Sequence, residues 1–485
     1  MEENSYKNEN RLNSLLLSPE RIFLIVAIVV GFLLLLLTPP MAVPDENAHF
    51  INAYSVSRGN FFVDIENGQA GVYMPTVYID FINNYLNRFN GENRLESKHD
   101  FSQYYFDSWF MHDLSGREFL PTQLRAINPV GYLVSGFGMA VGNVLCRPYL
   151  TPYNLLIFGR AFNLIFYISI MYLALKTTLY FKKTMLILSL MPMSIFLAAS
   201  LSYDAILIPV SFLLFAYSSK FIGAPSGYLI SKKDILVILF VSFFLAGVKL
   251  AYFILLLVLF AVPKERFGTK KRYIMCIGMV VAVGLLSYGI PAFFNNQALR
   301  EVTIDSSTYS AAQVKFLLSH ILQAPRILLN SFRQMGPFYA NGFFGILGNL
   351  DTNFPVPVHK LFYIVLILIV FVEALETRKW LWKTKLFSTI AIFIIIVGIF
   401  FATYIGWTSL PWVAGVGADY VSGVQGRYFI PIALFICIIF TNPLYLKFPE
   451  RVRLIISKSS SVISSLTPVL CGGLTVVTIL LRYWC

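Results

Sequence analysis

Asp45 and Glu46 stand side by side in the stretch TPPMAVPDENAHFINAYSVSRG, just after an apolar run that ends at Leu37. Adjacent carboxylates at the edge of a membrane-length segment are suited to taking a proton from a hydroxyl. His49 lies four residues beyond Asp45, one helical turn along the same face. Three further ionisable residues mark the edges of other apolar segments: Asp204 in AASLSYDAILIPV, Lys249 in FFLAGVKLAYF and Arg427 in GVQGRYFIPI. Ionisable groups at membrane depth are costly and tend to face a cavity or a partner. Each also has a plainer reading. Asp45 after Pro44 can cap a helix running to about Arg58, with Glu46 in its first turn and Gly59 after its end. Asp204 can cap a turn, His49 can bond a carboxylate, and Lys249 and Arg427 can snorkel to headgroups.

Together, two carboxylates and two cations on one face suit the transfer of a group from an anionic lipid donor. A sugar on a polyprenyl phosphate leaves from a phosphate that departs as a stable anion, so one base for the acceptor hydroxyl suffices. Lys or Arg then stabilises the charge growing on the phosphate, and a carboxylate favours the oxocarbenium-like transition state. The donor's apolar tail demands a lateral groove among helices.

The elements that must position these residues are membrane helices. Of 485 residues, 57% are hydrophobic and 13% charged, far from the norms of a soluble chain. Apolar stretches of roughly 15 to 21 residues fit helices crossing a ~30 Å hydrocarbon core and lack the alternation of a membrane barrel. The expected fold is an all-α polytopic membrane helical bundle. Its spans are drawn at 22–38, 155–175, 184–201, 205–219, 235–248, 251–263, 273–293, 361–375, 386–405, 428–442 and 465–481, about eleven in all. Residues 1–21, with no cleavage site after the first apolar run, form a cytoplasmic arm.

Basic residues concentrate in alternate loops, at Lys182 and Lys183, at Lys220, Lys232 and Lys233, from Lys264 to Arg272, and at Lys383 and Lys385. Such residues are held on the cytoplasmic side, so the net charge of +13 is explained by topology and needs no nucleic-acid partner. The segment 128–145 is apolar, but counting it as a span would invert every later loop. It therefore lies on the outer surface or is re-entrant. The outer pieces are 39–154, which carries His99 and His112, together with 294–360 and 406–427. This divides the chain into a transmembrane module 22–293 that includes loop 39–154, an outer loop 294–360, and C-terminal helices 361–485. The five cysteines have no C-x-x-C spacing, so neither a zinc site nor a disulfide framework is expected.

Several motifs carry a resemblance. They are P-D-E-x-x-H-F from Pro44 to Phe50, S-R-G at Ser57 to Gly59, P-M-S-I-F-x-A-A-S-x-S-Y-D from Pro192 to Asp204, and G-V-K at Gly247 to Lys249. G-x-L-G-N-L-D from Gly345 to Asp351 and V-Q-G-R-Y-F-I-P from Val424 to Pro431 complete the set. In this order they resemble a widespread bacterial family of predicted membrane proteins that looks like a branch of the GT-C superfamily, glycosyltransferases that use polyprenyl-phosphate sugars. The resemblance implies a GT-C-like N-terminal module with juxtamembrane helices in a large first outer loop, and a catalytic acid residue there. Asp45 or Glu46 would fill that catalytic role, with Asp45 favoured as the base and Glu46 as an acceptor or metal contact. Lys249 and Arg427 would meet the donor phosphate, while His49, Arg58, Tyr203, Asp204 and Gln425 would line the site. Some members of the superfamily use a divalent cation such as Mg or Mn and others do not, so Asp45 and Glu46 are the ligands if one binds.

The implied partners are a polyprenyl-phosphate hexose, membrane lipids and a glycan acceptor on the outer face of a bacterial cytoplasmic membrane. Length and layout are similar to those of serotype-converting O-antigen glucosyltransferases, and teichoic acid or another wall glycan fits equally as acceptor. A transporter or flippase of lipid-linked sugars, or a polysaccharide polymerase, is the alternative. The first of these would be expected to show repeated halves with matching broken helices.

Overall fold

The structure is a computed structural model that describes residues 18–90, 116–122, 128–146, 150–299, 306–376, 382–441 and 449–485. His99 and His112 lie outside the described residues. The protein is an all-α membrane bundle, and among the described residues seven helices are long and apolar enough to cross a bilayer.

The chain begins with α1 (Pro19–Leu37), turns at Pro39 and Pro40, and enters α2 (Glu46–Ser57). A small antiparallel sheet follows, in the order β1 (Asp64–Glu66), β2 (Gln69–Pro75), β3 (Arg117–Pro121), with α3 (Thr76–Asn90) between β2 and β3. A 3₁₀ turn (Pro129–Tyr132) leads into α4 (Leu133–Leu145). At 13 residues, α4 rises about 20 Å, too little for a ~30 Å core. It packs between α2 and the first half of α5: Gly136 faces Val56 of α2, Gly138 faces Phe158 and Phe162, and Gly142 faces Phe158, at distances that leave no room for a side chain.

The bundle continues through α5 (Pro152–Thr177), the broken pair α6 (Lys182–Leu190) and α7 (Pro192–Ala198), α8 (Asp204–Gly223) and α9 (Lys232–Val248). Pro192 explains the break, because it drives Met191 into extended geometry (ψ 153°). Carbonyls freed at that depth still need donors. Ser194 Oγ donates to Leu188 O at 2.7 Å and Tyr167 Oη to Ser189 O at 2.8 Å. A long 3₁₀ helix (Leu250–Ala261), α10 (Lys270–Leu299), α11 (Ser306–Ser319) and α12 (Ala324–Phe344) follow. The hairpin β4 (Ile346–Leu347) and β5 (Thr352–Asn353) precedes α13 (Val356–Glu376) and α14 (Trp382–Thr403). A second 3₁₀ segment (Gly426–Ile432) runs into α15 (Ala433–Ile439), and α16 (Glu450–Tyr483) closes the chain.

Of the spans expected from sequence, seven are thus single helices of membrane length. The others are the broken pair α6–α7, the 17-residue α9, the 3₁₀ helix 250–261 and the mixed segment 426–439. At about 2 Å per residue a 3₁₀ helix covers more depth than its length suggests.

The polar ends sort into two faces. On one, Glu20 pairs with Lys182 (2.6 Å) and Lys220 with Asp234 (2.7 Å). There Glu373 also accepts the backbone N–H groups of Lys183 and Thr184, serving as a cap for α6 from another helix. On the opposite face, Trp484 Nε1 donates to Leu37 O at 2.7 Å and Arg482 pairs with Asp351 at 3.1 Å. The C-terminal end of α16 therefore lies beside the end of α1, and the basic loops are gathered on the other face.

Candidate functional site

The turn between α1 and α2 is held from beneath by Arg160, which lies in the first half of α5. Its Nη1 donates to Thr38 O at 2.6 Å and its Nη2 to Pro39 O at 2.9 Å. Its other contacts form a two-point pair with Glu46, Nε to Oε1 at 2.8 Å and Nη2 to Oε2 at 2.5 Å, with both side chains fully buried. Leu201 N also reaches Oε1, at 3.4 Å. Glu46 thus spends both oxygens inside the protein.

Asp45 behaves differently. The sequence suggests an N-cap, yet its side chain caps nothing, and its backbone is left-handed (φ 63°, ψ 15°). That region costs a non-glycine residue about 1–2 kcal/mol, less for Asp than for most. Strain of this kind persists where surrounding contacts over-determine it. Here the turn sends the carboxylate to Arg427, whose Nη2 donates to Oδ2 at 2.7 Å. The Asp45 side chain remains 57% exposed while Arg427 is almost wholly buried.

Arg427 is placed by Gly426. A Cβ at that position would collide with Tyr339 O and Phe343 N of α12, so only glycine lets the two backbones touch. Tyr252 Oη donates to Tyr428 O at 2.6 Å and ties this segment to the 3₁₀ helix 250–261. Arg427 Nε approaches Asp204 Oδ2 at 3.5 Å without closing a hydrogen bond, and Nη1 is buried with no hydrogen-bond partner. Asp204 itself accepts from Ser202 Oγ at 3.3 Å. Lys249, at the break between α9 and the 3₁₀ helix, rests its ammonium 3.6 Å from the centre of the Tyr428 ring. It lies in the electrostatic reach of Asp204, Arg427 and Asp45. Two carboxylates and two cations from four distant parts of the chain therefore converge.

His49 borders this cluster. Its Nδ1 meets Tyr132 Oη at 2.9 Å, and Tyr203 stands edge-on to the ring at 5.2 Å. Burial holds the imidazole down at about 4, outweighing the nearby Asp45 carboxylate, with Arg427 pushing the same way as burial. Gln425, two residues before Arg427, keeps Oε1 buried without a hydrogen-bond partner. Arg58 is not part of the group: it ends α2, exposed beside the Tyr54 ring. Thirteen residues of helix put it about 20 Å from Asp45.

An apolar crevice of about 700 Å³ lies among α12, α13, α14 and the 426–439 segment, lined by Tyr339, Phe343, Leu366, Val370, Phe429 and Cys437 among others. In a 3₁₀ helix, positions two apart point to different sides. Arg427 accordingly faces Asp45 while Phe429 faces the crevice. Glu46 with both oxygens on Arg160, and Asp45 on Arg427, do not form a cation-binding pair. Among the described residues no group of three or more His, Cys, Asp or Glu is spaced to hold a metal ion.

Reading the sequence missed Arg160, Tyr132 and Tyr428. A signal existed for Arg160, an arginine inside the apolar run LLIFGRAFNLIF, where a charge demands a buried partner.

Residues 28–436 match the model of a family described as predicted membrane protein (DUF2142). The chain belongs to this family. No curated protein matches it in sequence. Among solved structures, the crystal structure of the Archaeoglobus fulgidus oligosaccharyltransferase complex with Zn and sulfate is similar at 11% identity and a TM-score of 0.41. The alignment covers 93% of this chain and 53% of that one. The chain thus spans about half the length of that structure, and a likeness at this level carries no argument about activity.

Proposed function

We propose that this protein is a GT-C-type membrane glycosyltransferase that moves a hexose from a polyprenyl-phosphate donor to a hydroxyl of a cell-surface glycan. In this reading it works on the outer face of a bacterial cytoplasmic membrane, the face opposite the basic loops. One observation carries the reading: the 426–432 segment that brings Arg427 to Asp45, Asp204 and Lys249 also lines an apolar crevice among the helices, through Phe429 and Ile432.

The exposed Asp45 carboxylate takes the proton of the acceptor hydroxyl as its oxygen bonds the anomeric carbon. The bond from that carbon to the phosphate oxygen breaks, and its electron pair leaves with the polyprenyl phosphate. Arg427, with Nη1 not yet engaged, and Lys249 receive the growing negative charge. The isoprenoid tail lies along the crevice below Phe429. Glu46 has a positioning role in this scheme, holding the turn that presents Asp45. His49, Tyr203, Asp204 and Gln425 line the site.

The test uses purified protein in lipid nanodiscs, supplied with labelled polyprenyl-phosphate hexose and a panel of glycan acceptors. Transfer should be lost in Asp45→Asn. Undiminished transfer by that variant removes Asp45 from the mechanism, and no transfer from any lipid-phosphate sugar by the wild type refutes the donor class.

A further inference from the structure

Residues 306–344 lie within a segment that reads from sequence as an outer loop, yet they form the helical pair α11 and α12 with a turn at Ile321–Gln323 between them. One face of α12 lines the apolar crevice opposite Leu366 and Val370 of α13. Val370 lies 14 residues into a membrane-length helix, about 21 Å from its start. Tyr363 Oη also donates to Ala340 O at 2.6 Å. The second half of α12 therefore packs at hydrocarbon depth.

The turn itself displays a run of aliphatic side chains to the exterior. Leu318, Ile321 and Leu322 are all exposed, Leu322 at 91%, and Leu329 continues the stripe on α12. Water does not favour a contiguous patch of this kind. The connection after α14 is bound to the same hairpin, through Gly417 N to Gln313 Oε1 at 3.0 Å and Val421 N to Ser331 Oγ at 2.8 Å. It carries the exposed Trp407 and Trp412, a residue type enriched where headgroups meet acyl chains. Lys315 and Arg326 are exposed on either side of the turn, with stems long enough to reach headgroups. The neighbouring α13, which meets α12 at Ala340, carries an exposed apolar belt of its own at Leu361, Ile364 and Leu368.

We infer that the α11–α12 turn inserts Leu318, Ile321 and Leu322 into the lipid leaflet on the side of the Asp45 cluster, with Lys315 and Arg326 reaching back to anionic headgroups. The partner is the bilayer itself, and the mouth of the crevice beside α12 then opens to lipid and not to water. This inference does not rest on the proposed transfer reaction.

The test places an environment-sensitive fluorophore on Leu322→Cys, in full-length protein carrying Cys146→Ser and Cys485→Ser, in nanodiscs of phosphatidylcholine and phosphatidylglycerol. Leu361→Cys serves as the lipid-facing reference, and Asn67→Cys, in the exposed β1–β2 turn, as the water-facing one. The label at 322 should be quenched by spin-labelled lipid at least about twofold more than that at 67, and should resist aqueous iodide as the label at 361 does. Iodide quenching equal to that at 67, with no quenching by lipid, overturns the inference. Ile321→Cys gives the same reading should Leu322→Cys fold poorly.

Discussion

The pair formed by Glu46 and Arg160 provides the sharpest quantitative test. Both side chains are fully buried, and the guanidinium supplies two hydrogen bonds to the carboxylate and two to the carbonyls of Thr38 and Pro39. Arg160→Met leaves a buried carboxylate uncompensated, and breaking such a pair from one side costs about 3–5 kcal/mol. The entropy of unfolding, near 2.1 cal/mol/K per residue, sums to about 1 kcal/mol/K for a chain of this length, so the midpoint should fall by about 3–5 °C. Glu46→Met strands the arginine instead and should cost a similar amount. The double variant removes both charges and forfeits mainly the two carbonyl bonds, at about 1–3 kcal/mol for each carbonyl left dry. Its total loss should therefore fall well short of the sum of the single losses. Thermal unfolding of the four proteins in one detergent, followed by intrinsic fluorescence, measures the cycle. Strict additivity, or single shifts below about 1 °C, would refute the argument that this pair staples the turn.

Other outcomes follow from the same geometry. Arg427→Gln should reduce transfer by about 100-fold or more while shifting the unfolding midpoint less than Arg160→Met does, since Asp45 is exposed and the buried Asp204 keeps Lys249 within electrostatic reach. This is read from initial rates and melting curves on the same preparations. Gly426→Ala should prevent the 426–432 segment from seating on α12 and lower both stability and yield, seen as loss of the monodisperse peak in size-exclusion chromatography. His49 is held at about 4 by burial, below its unfolded value near 6.5. Between those values the unfolded chain takes up a proton that the folded one refuses, so this group erodes stability as pH falls from about 6.5 toward 4. His49→Phe should flatten that limb of a stability profile measured from pH 4 to 8, and an unchanged slope would contradict the assignment.

Much of the architecture was legible in one dimension, because membrane helices must satisfy their own backbones and basic loops gather on one side. The segment 128–145 reads as non-spanning on charge grounds, and the structure makes it a 3₁₀ turn and a 13-residue helix packed against α2 and α5. The break in 184–201 was not foreseen, although Pro192 marks it, since a broken helix at depth depends on donors such as Tyr167 that only packing supplies. Arg58 was grouped with the site by motif, and helix length alone carries it away.

The two adjacent carboxylates divide the labour between sequence and structure. Sequence determined that Asp45 and Glu46 follow the first span, in a turn bounded by prolines, with a helix running from there to Gly59. Only the tertiary structure separated them. Glu46, the first residue of α2, turns inward to Arg160, 114 residues away. Asp45, forced left-handed, turns outward to Arg427, 382 residues away. A charge finds its partner by proximity in the fold, and nothing in local sequence records which of two equal carboxylates will be buried and which left exposed.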